Sequence, residues 1–137
     1  MRTPKQILED FTVVAVVGAS TDPSKPSHLV PATLRRHGFV VVPVNPRAPR
    51  ILGETSYPSL ADIPFPVEVV EVFRRAEEAP EIARQAVAIG AKALWLQLGI
   101  TSREARDIAA AGGLDYVENE CMAVLRGRYG ITHPAAG

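Results

Sequence analysis

Apolar runs that look like buried strands alternate with helical patterns along the whole chain. The first run, FTVVAVVG from Phe11 to Gly18, is rich in β-branched residues. It lacks the alternation of polar and apolar positions that marks a strand with one wet face. Such a strand is buried on both faces, which is typical of a parallel sheet covered by helices. The alternation therefore predicts an α/β fold, a Rossmann-like, doubly wound, five-stranded parallel sheet with helices on both faces.

The four later runs are FVVVPVNP, PVEVVEVF, AKALWLQLG and LDYVE. We expect the five strands in the order 3-2-1-4-5, with the topological switch point between strands one and four. Pro43 in the second strand predicts an irregular or edge-like stretch, because proline cannot donate to the ladder. Glu68 and Glu71 alternate with valines, which predicts that strand three has a partly wet face or lies near the sheet edge.

The 137 residues are expected to form a single domain with one core. Thr3, Pro4 and Gln6 predict a short N-terminal helix over residues 3–10, opened by a capping box. A second capping box is expected at Thr101-x-x-Glu104, and a short tail is expected from about Gly127.

Composition excludes some function classes. Fifteen basic and fifteen acidic residues balance, so no global field attracts nucleic acid or an anionic membrane. Cys121 is the only cysteine, and no run is long and apolar enough for a signal peptide or a membrane span, which predicts a cytoplasmic protein. The three histidines are scattered, so no metal site and no catalytic residue are predicted, and Cys121 is more often a buried apolar residue than a reactive thiol.

The loop after the first strand has the features of a phosphate site, although no G-x-G-x-x-G can be written there. Gly18 permits a sharp turn, Ala19 and Ser20 follow it, and Lys25 adds a positive charge. Pro26 precedes the next helix, which is predicted from Ser27 to His37 and tolerates Pro31 only in its first turn. A helix N-terminus carries about half a positive charge and free N–H donors. An ordinary strand-to-helix connection capped by Ser27 is the alternative.

The end of the second strand bears on the choice of ligand. NAD-binding domains usually place an acidic residue about 20 residues past the glycine loop. Here Asn45, Pro46 and Arg47 stand there, with Arg50 close by. An arginine can bond a phosphate on the adenosine ribose, which both NADP and coenzyme A carry. Spacing does not separate the two, and a solvated basic loop is the alternative.

Two further strand ends complete the predicted site. Phe73 could line an adenine pocket and Arg74 could pair with a phosphate, or Phe73 could be core and Arg74 surface. Gln97 and Gly99 follow the fourth strand, where a glycine allows close approach of a ligand to the backbone.

Four segments together carry a family resemblance: VVGASTDPSKPSHLV, VVPVNPRAPRILGETSYPSLADIP, VEVVEVFRRAEEAP and AIGAKALWLQLGI. They resemble the small, single-domain CoA-binding proteins, which look like a stand-alone counterpart of the N-terminal domain of the succinyl-CoA synthetase alpha subunit. The resemblance runs from about Phe11 to Cys121. It implies a Rossmann-like domain that binds coenzyme A through its 3′-phospho-ADP part.

Carried over by motif, the resemblance implies phosphate contacts from the first loop, Gly18 to Ser20 and Lys25 to Ser27. It implies adenosine contacts from Asn45, Pro46 and Arg47, flanked by Phe73 and Arg74, with Gln97 on the pantetheine side. The family commonly has an Asp-Arg-Cys run where this chain has Asn-Glu-Cys ending at Cys121, so any role of that loop is not carried over. The ligase's phosphorylated histidine and nucleotide-grasping part lie outside this domain, so ligase chemistry is not carried over either.

The function expected is therefore binding of coenzyme A or an acyl-CoA without catalysis by this chain. An NADP-dependent oxidoreductase is the alternative, since the fold and the arginines suit it equally. A fold kept only for protein interaction is the third.

Overall fold

The computed structural model describes residues 1–134, which contain helices and strands in nearly regular alternation. The helices are α1 Pro4–Asp10, α2 Pro26–Arg36, α3 Ala79–Ala88, α4 Arg103–Ala111 and α5 Met122–Tyr129. The strands are β1 Val13–Val17, β2 Val40–Val44, β3 Arg50–Ile51, β4 Glu54–Thr55, β5 Val69–Val72, β6 Ala93–Leu96 and β7 Asp115–Val117.

Five of the strands form one parallel sheet in the order β2-β1-β5-β6-β7, and β3 and β4 form a separate antiparallel pair. One buried cluster joins the sheet to α1, α2 and α5, and a second joins the other face to α3 and α4. The predicted class, a doubly wound, Rossmann-like parallel sheet of five strands, is confirmed.

The predicted strand order 3-2-1-4-5 is wrong. In the same numbering the observed order is 2-1-3-4-5, because β5, the third predicted strand, pairs with β1 on one edge and β6 on the other. Glu68 explains part of this placement, since its Oε1 accepts bonds from the backbone N–H groups of Thr12 at 2.9 Å and Val13 at 3.0 Å. The prediction that this strand has a partly wet face or lies near the sheet edge is wrong, because β5 is buried in the centre of the sheet and Glu68 ties its start to β1. The switch point lies between β1 and β5.

β2 is an edge strand of the sheet, next to β1, which confirms the edge-like stretch that Pro43 predicted. The outer edge of β2 meets Tyr57, whose N–H donates to Pro43 O at 3.0 Å and whose carbonyl accepts from Asn45 N–H at 2.9 Å. The backbone nitrogen of residue 43 therefore faces away from β1, where no ladder bond requires it. Proline is tolerated in β2 for this reason.

Helix starts agree with the sequence at α1 and differ at α4. The Thr3 side chain accepts from Gln6 N–H and the Gln6 side chain accepts from Thr3 N–H, which confirms the capping box. At α4 the N-cap is Ser102, whose hydroxyl accepts from Ala105 N–H at 3.1 Å, so the prediction of Thr101 was wrong by one residue.

The tail predicted from about Gly127 is also corrected, because α5 continues past that residue to Tyr129. Met122 and Leu125, three residues apart on α5, are buried against the sheet. Beyond the helix, His133 donates its N–H to His37 O at 2.9 Å, and its Nε2 lies 2.7 Å from Leu8 O. The end of the described chain is packed on the domain.

Candidate functional site

The candidate site lies at the carboxyl edge of the sheet. The parallel ladder continues one residue beyond three strands: Gly18 N–H bonds Val44 O at 3.1 Å, Phe73 N–H bonds Val17 O at 2.9 Å, and Gln97 N–H bonds Val72 O at 3.2 Å. Gly18, Phe73 and Gln97 therefore stand side by side at the ends of β1, β5 and β6. Gly18 and Phe73 flank the switch point, where ligands bind in open α/β sheets.

Gly18 is required at this position for two reasons. Its φ of +88° is a conformation that side-chain-bearing residues rarely adopt. A Cβ atom there would lie 2.9 Å from Phe73 O and 2.8 Å from Arg74 Cδ. The first loop can therefore cross the end of β5 closely only because residue 18 has no side chain.

The loop after Gly18 is held by its own polar groups. Ser20 Oγ accepts from Asp22 N–H at 3.0 Å, and Asp22 Oδ1 accepts from Ser24 N–H at 2.9 Å and Ser24 Oγ at 2.7 Å. These two bonds from Ser24 lower the pKa of Asp22, and the bond from the Ser24 hydroxyl has the larger effect. Ser20 and Ser24 thus shape the loop, whose tip is exposed.

Helix α2 begins earlier than predicted, with Lys25 as N-cap and Pro26 as its first residue. Ser27 is therefore inside the helix and does not cap it, and no side chain caps this N-terminus. Pro31 lies in the second turn, not in the first as expected. Its missing N–H leaves Ser27 O without an intrahelical donor, and Ser20 N–H donates to that oxygen at 3.1 Å. The proline thus provides the point where the loop is fastened to the helix.

The Asn45 side chain links the second strand to this loop. Asn45 Nδ2–H donates to Ala19 O at 2.9 Å, and Asn45 Oδ1 accepts from Arg47 N–H at 2.8 Å. Pro46 and Arg47 are exposed, and no salt bridge within residues 1–134 involves Arg47. Arg47 is therefore held at its backbone and free at its guanidinium.

Arg74 differs from Arg47 in this respect. Its guanidinium bonds Glu78 Oε1 through NH2 at 3.0 Å and Nε at 3.2 Å. The side-chain hydrogen bond from Arg74 is the main cause that lowers the pKa of Glu78. A phosphate would have to compete with this carboxylate for Arg74.

The fourth strand end holds the segment that precedes α5. Gln97 is 4% exposed and its Oε1 accepts from Met122 N–H at 3.0 Å, while Trp95 Nε1–H donates to Glu120 O at 2.9 Å. Gly99 N–H donates to Asn119 Oδ1 at 2.7 Å. These bonds place residues 119–122 beside the ends of β5 and β6.

A pocket of about 510 Å³ opens on this edge, on the face that carries α2 and α5. Five of the predicted residues line it: Lys25, Pro26, Ser27, Phe73 and Gln97. The other predicted residues are not part of its lining: Gly18, Ala19, Ser20, Asn45, Pro46, Arg47, Arg74 and Gly99. Its size lies within the range of small-molecule sites.

The sequence missed half of the lining: Val30, Leu98, Ile100, Cys121 and Val124. Cys121 is partly exposed there, although burial in the core was the more common expectation. The spacing of Met122 and Leu125 was the available signal for α5, and it would have brought Cys121 and Val124 to this edge.

A larger pocket, of about 740 Å³, lies against the start of β2 and includes Arg36, Phe39 and His133. None of the predicted site residues lines it. We nevertheless take the smaller pocket as the candidate site, because it lies at the switch point and is lined by residues at the ends of β5 and β6.

Below the candidate pocket, Glu71 and Trp95 lie two residues before Phe73 and Gln97 on the same face of the sheet, and Val16 lies beside Glu71 in register. Glu71 is fully buried, and neither of its oxygens has a hydrogen-bond partner. Burial raises the pKa of Glu71 to about 8. The Glu71 carboxyl is therefore neutral at pH 7, so it places no charge beneath the pocket.

Within residues 1–134, no three His, Cys, Asp or Glu side chains come together as metal ligands. The longest helix, α2, has 11 residues, and none of the described helices has the length and apolarity needed to cross a bilayer.

One family model and several known proteins match most of the chain. A family model described as a CoA binding domain matches residues 12–127. YneT, an uncharacterised protein of Bacillus subtilis, is 33% identical over 120 residues, which cover 88% of this chain and 89% of that protein. The solved structure of a hypothetical protein from Pyrococcus horikoshii has a TM-score of 0.89 at 37% identity, covering 93% of this chain and 92% of the other.

A much longer relative matches over part of the chain. The ADP-forming acetate–CoA ligase II of Archaeoglobus fulgidus is 37% identical over 81 residues, which are 58% of this chain and 12% of the ligase. The chain thus corresponds to a small part of that ligase.

Proposed function

The chain belongs to the family of CoA-binding domains, as its motifs indicated, and from that premise we propose that it binds coenzyme A or an acyl-CoA in the pocket at the switch point. The observation that carries the proposal is the position of this pocket. It joins the loop after β1 to the ends of β5 and β6. The family match favours coenzyme A over NADP, the alternative that the arginines left open.

The diphosphate is proposed to bind at the start of α2. This N-terminus has no side-chain cap, so its partial positive charge is available to an anion. Lys25, the N-cap residue, is exposed and lines the pocket. The contact between Ser20 N–H and Ser27 O keeps the loop folded against the helix and preorganises this end.

The 3′-phosphate is proposed to bind Arg47. Asn45 bonds both Ala19 O and Arg47 N–H, so the arginine is positioned by the same loop that would hold the diphosphate. Its guanidinium has no salt-bridge partner in the described chain, whereas that of Arg74 is paired with Glu78. Arg47 is therefore the better phosphate ligand of the two.

We propose binding without catalysis by this chain, because the pocket lining offers no nucleophile paired with a base. The cytoplasm remains the proposed compartment, since one cysteine cannot form an intrachain disulfide.

The test is calorimetric titration of coenzyme A, dephospho-CoA and NADP into the purified protein. Coenzyme A is expected to bind best. Arg47→Ala should weaken coenzyme A by about 10- to 100-fold, as for loss of a charge-assisted contact of about 1.5–3 kcal/mol, and leave dephospho-CoA unchanged. Arg50→Ala is the matched control, because Arg50 NH2 bonds Gly53 O within its own hairpin.

Equal losses for both ligands in Arg47→Ala would refute the role given to Arg47. Binding of NADP alone would overturn the ligand and direct the search toward an oxidoreductase.

A further inference from the structure

The candidate pocket has two chemically different ends. Lys25 and Ser27 stand at the end formed by α2, after β1. Leu98, Ile100 and Val124 stand at the end formed by the loop after β6 and by α5. Because β5 separates β1 from β6, the strands that lead into the two ends are about 10 Å apart.

The apolar end is exposed to an unusual degree. Leu98 is 68% exposed and Val124 is 56% exposed, and both are large apolar side chains at the mouth of one pocket. Single exposed apolar residues are common on protein surfaces, whereas apolar side chains gathered at one concave site mark a binding surface.

The backbone that presents Leu98 is fixed. Ile100 N–H bonds Gln97 O at 2.9 Å, which closes the turn around Leu98. Gly99 N–H bonds Asn119 Oδ1 at 2.7 Å, and Asn119 N–H bonds Ile100 O at 3.1 Å, which ties that turn to the segment before α5. The turn therefore fixes the backbone from which the Leu98 side chain extends at the pocket.

We propose that this end of the pocket, formed by Leu98, Ile100 and Val124, receives the acyl chain of an acyl-CoA, and that the preferred ligands are thioesters of uncharged, apolar acyl groups. The inference rests on the proposed function, since the diphosphate must bind at the Lys25 end to direct the thioester across Phe73 toward Leu98.

The charge distribution selects the class of acyl group. Lys25 is the only charged residue among those that line the pocket, and it stands at the opposite end. A carboxylate at the far end of a dicarboxylic acyl group would meet apolar side chains and lose water without gaining an ion pair. Straight-chain acyl groups gain from burial there, whereas a succinyl group does not.

The test compares coenzyme A with its acetyl, butyryl, hexanoyl and succinyl thioesters by calorimetry. Affinity is expected to rise by about two- to fourfold for each methylene from acetyl to hexanoyl, as burial of a methylene predicts. Succinyl-CoA is expected to bind more weakly than butyryl-CoA. In a second readout, hexanoyl-CoA should slow alkylation of Cys121, the only cysteine, more than coenzyme A does at equal saturation.

Leu98→Ser and Val124→Ser should each reduce the ratio of the hexanoyl-CoA to the coenzyme A binding constant toward one. Both residues are mostly exposed, so the variants should fold, which circular dichroism verifies. Leu29→Ser is the matched control: Leu29 is 51% exposed on α2 but does not line the pocket, and the ratio should stay at its wild-type value.

A flat response to acyl length with coenzyme A still bound would overturn this inference and leave the proposed function standing. Binding of succinyl-CoA as tight as that of butyryl-CoA would do the same. If neither coenzyme A nor any thioester binds, the proposed function itself is wrong.

Discussion

Glu71 makes the stability of the protein depend on pH in a direction opposite to that of most carboxylates. The side chain is fully buried between Val16 and Trp95, with no hydrogen-bond partner and no charged group among the causes of its shift. Burial alone raises its pKa from the ordinary 4.5 to about 8. In the folded chain this carboxyl therefore keeps its proton at pH values where the unfolded chain has lost it.

The magnitude follows from proton linkage. Between about pH 4.5 and pH 8 the folded state binds one proton more than the unfolded state, so the free energy of unfolding falls as pH rises. The slope is about 1.4 kcal/mol per pH unit, which amounts to about 5 kcal/mol over the window. This contribution of Glu71 to stability is fully present below pH 4.5 and is lost as the pH rises to about 8.

The perturbation is Glu71→Gln, which keeps the size of the side chain and removes its titration. Urea unfolding followed by circular dichroism at pH 5, 6, 7 and 8 gives the free energy of unfolding of both proteins. The variant should gain on the wild type by about 1.4 kcal/mol for each pH unit. The buried amide of the variant has no hydrogen-bond partner, which lowers its free energy of unfolding by about 1–3 kcal/mol at every pH. This cost shifts the whole difference between variant and wild type without changing its slope with pH.

Glu71→Met provides an independent check, because it removes both the charge and the buried polar atoms. Its difference from the wild type should show the same slope as that of Glu71→Gln. If wild type and variants instead run parallel from pH 5 to pH 8, Glu71 is not an isolated neutral acid and the reasoning is refuted.

Two further stability measurements, by urea unfolding, test the site and a corrected helix start. Gly18→Ala should destabilise the protein by more than Gly53→Ala does. Both glycines lie at positive φ, which costs an alanine about 1–2 kcal/mol, but only a Cβ at residue 18 would meet Phe73 O, at 2.9 Å. Equal losses would show that the loop after β1 does not pass closely over the end of β5. Ser102→Ala should cost about 1 kcal/mol through loss of the α4 N-cap while Thr101→Ala costs little, and the reverse ranking would restore the cap predicted from the sequence.

Local sequence signals located the elements well. The β-branched runs marked the strands of the main sheet, Thr3 with Gln6 marked the start of α1, and Pro43 marked an edge-like strand. Each of these signals arises from the residue's own backbone chemistry or from neighbours within one turn. For the same reason Gly18, Phe73 and Gln97 could be assigned to strand ends, whose meeting at one edge is a rule of parallel sheets.

The sequence failed where a side chain acts over a long separation. Glu68 was interpreted as solvent-facing, yet it accepts N–H groups 55 and 56 residues earlier in the chain, which helps to set β5 beside β1. The sequence predicted that Pro31 is tolerated only in a first helical turn. Its position in the second turn is accommodated because Ser20 N–H, from the preceding loop, bonds the carbonyl that the proline leaves free.

The sequence by itself determined the α/β class, the family and the strand ends at which a ligand site must lie. The tertiary structure alone decided the strand order, the neutral Glu71 beneath the site, and the apolar end formed by Leu98 and Val124. The physical reason is that hydrophobic periodicity and capping are local, whereas burial, pKa and pocket shape depend on which distant elements exclude water from the same place.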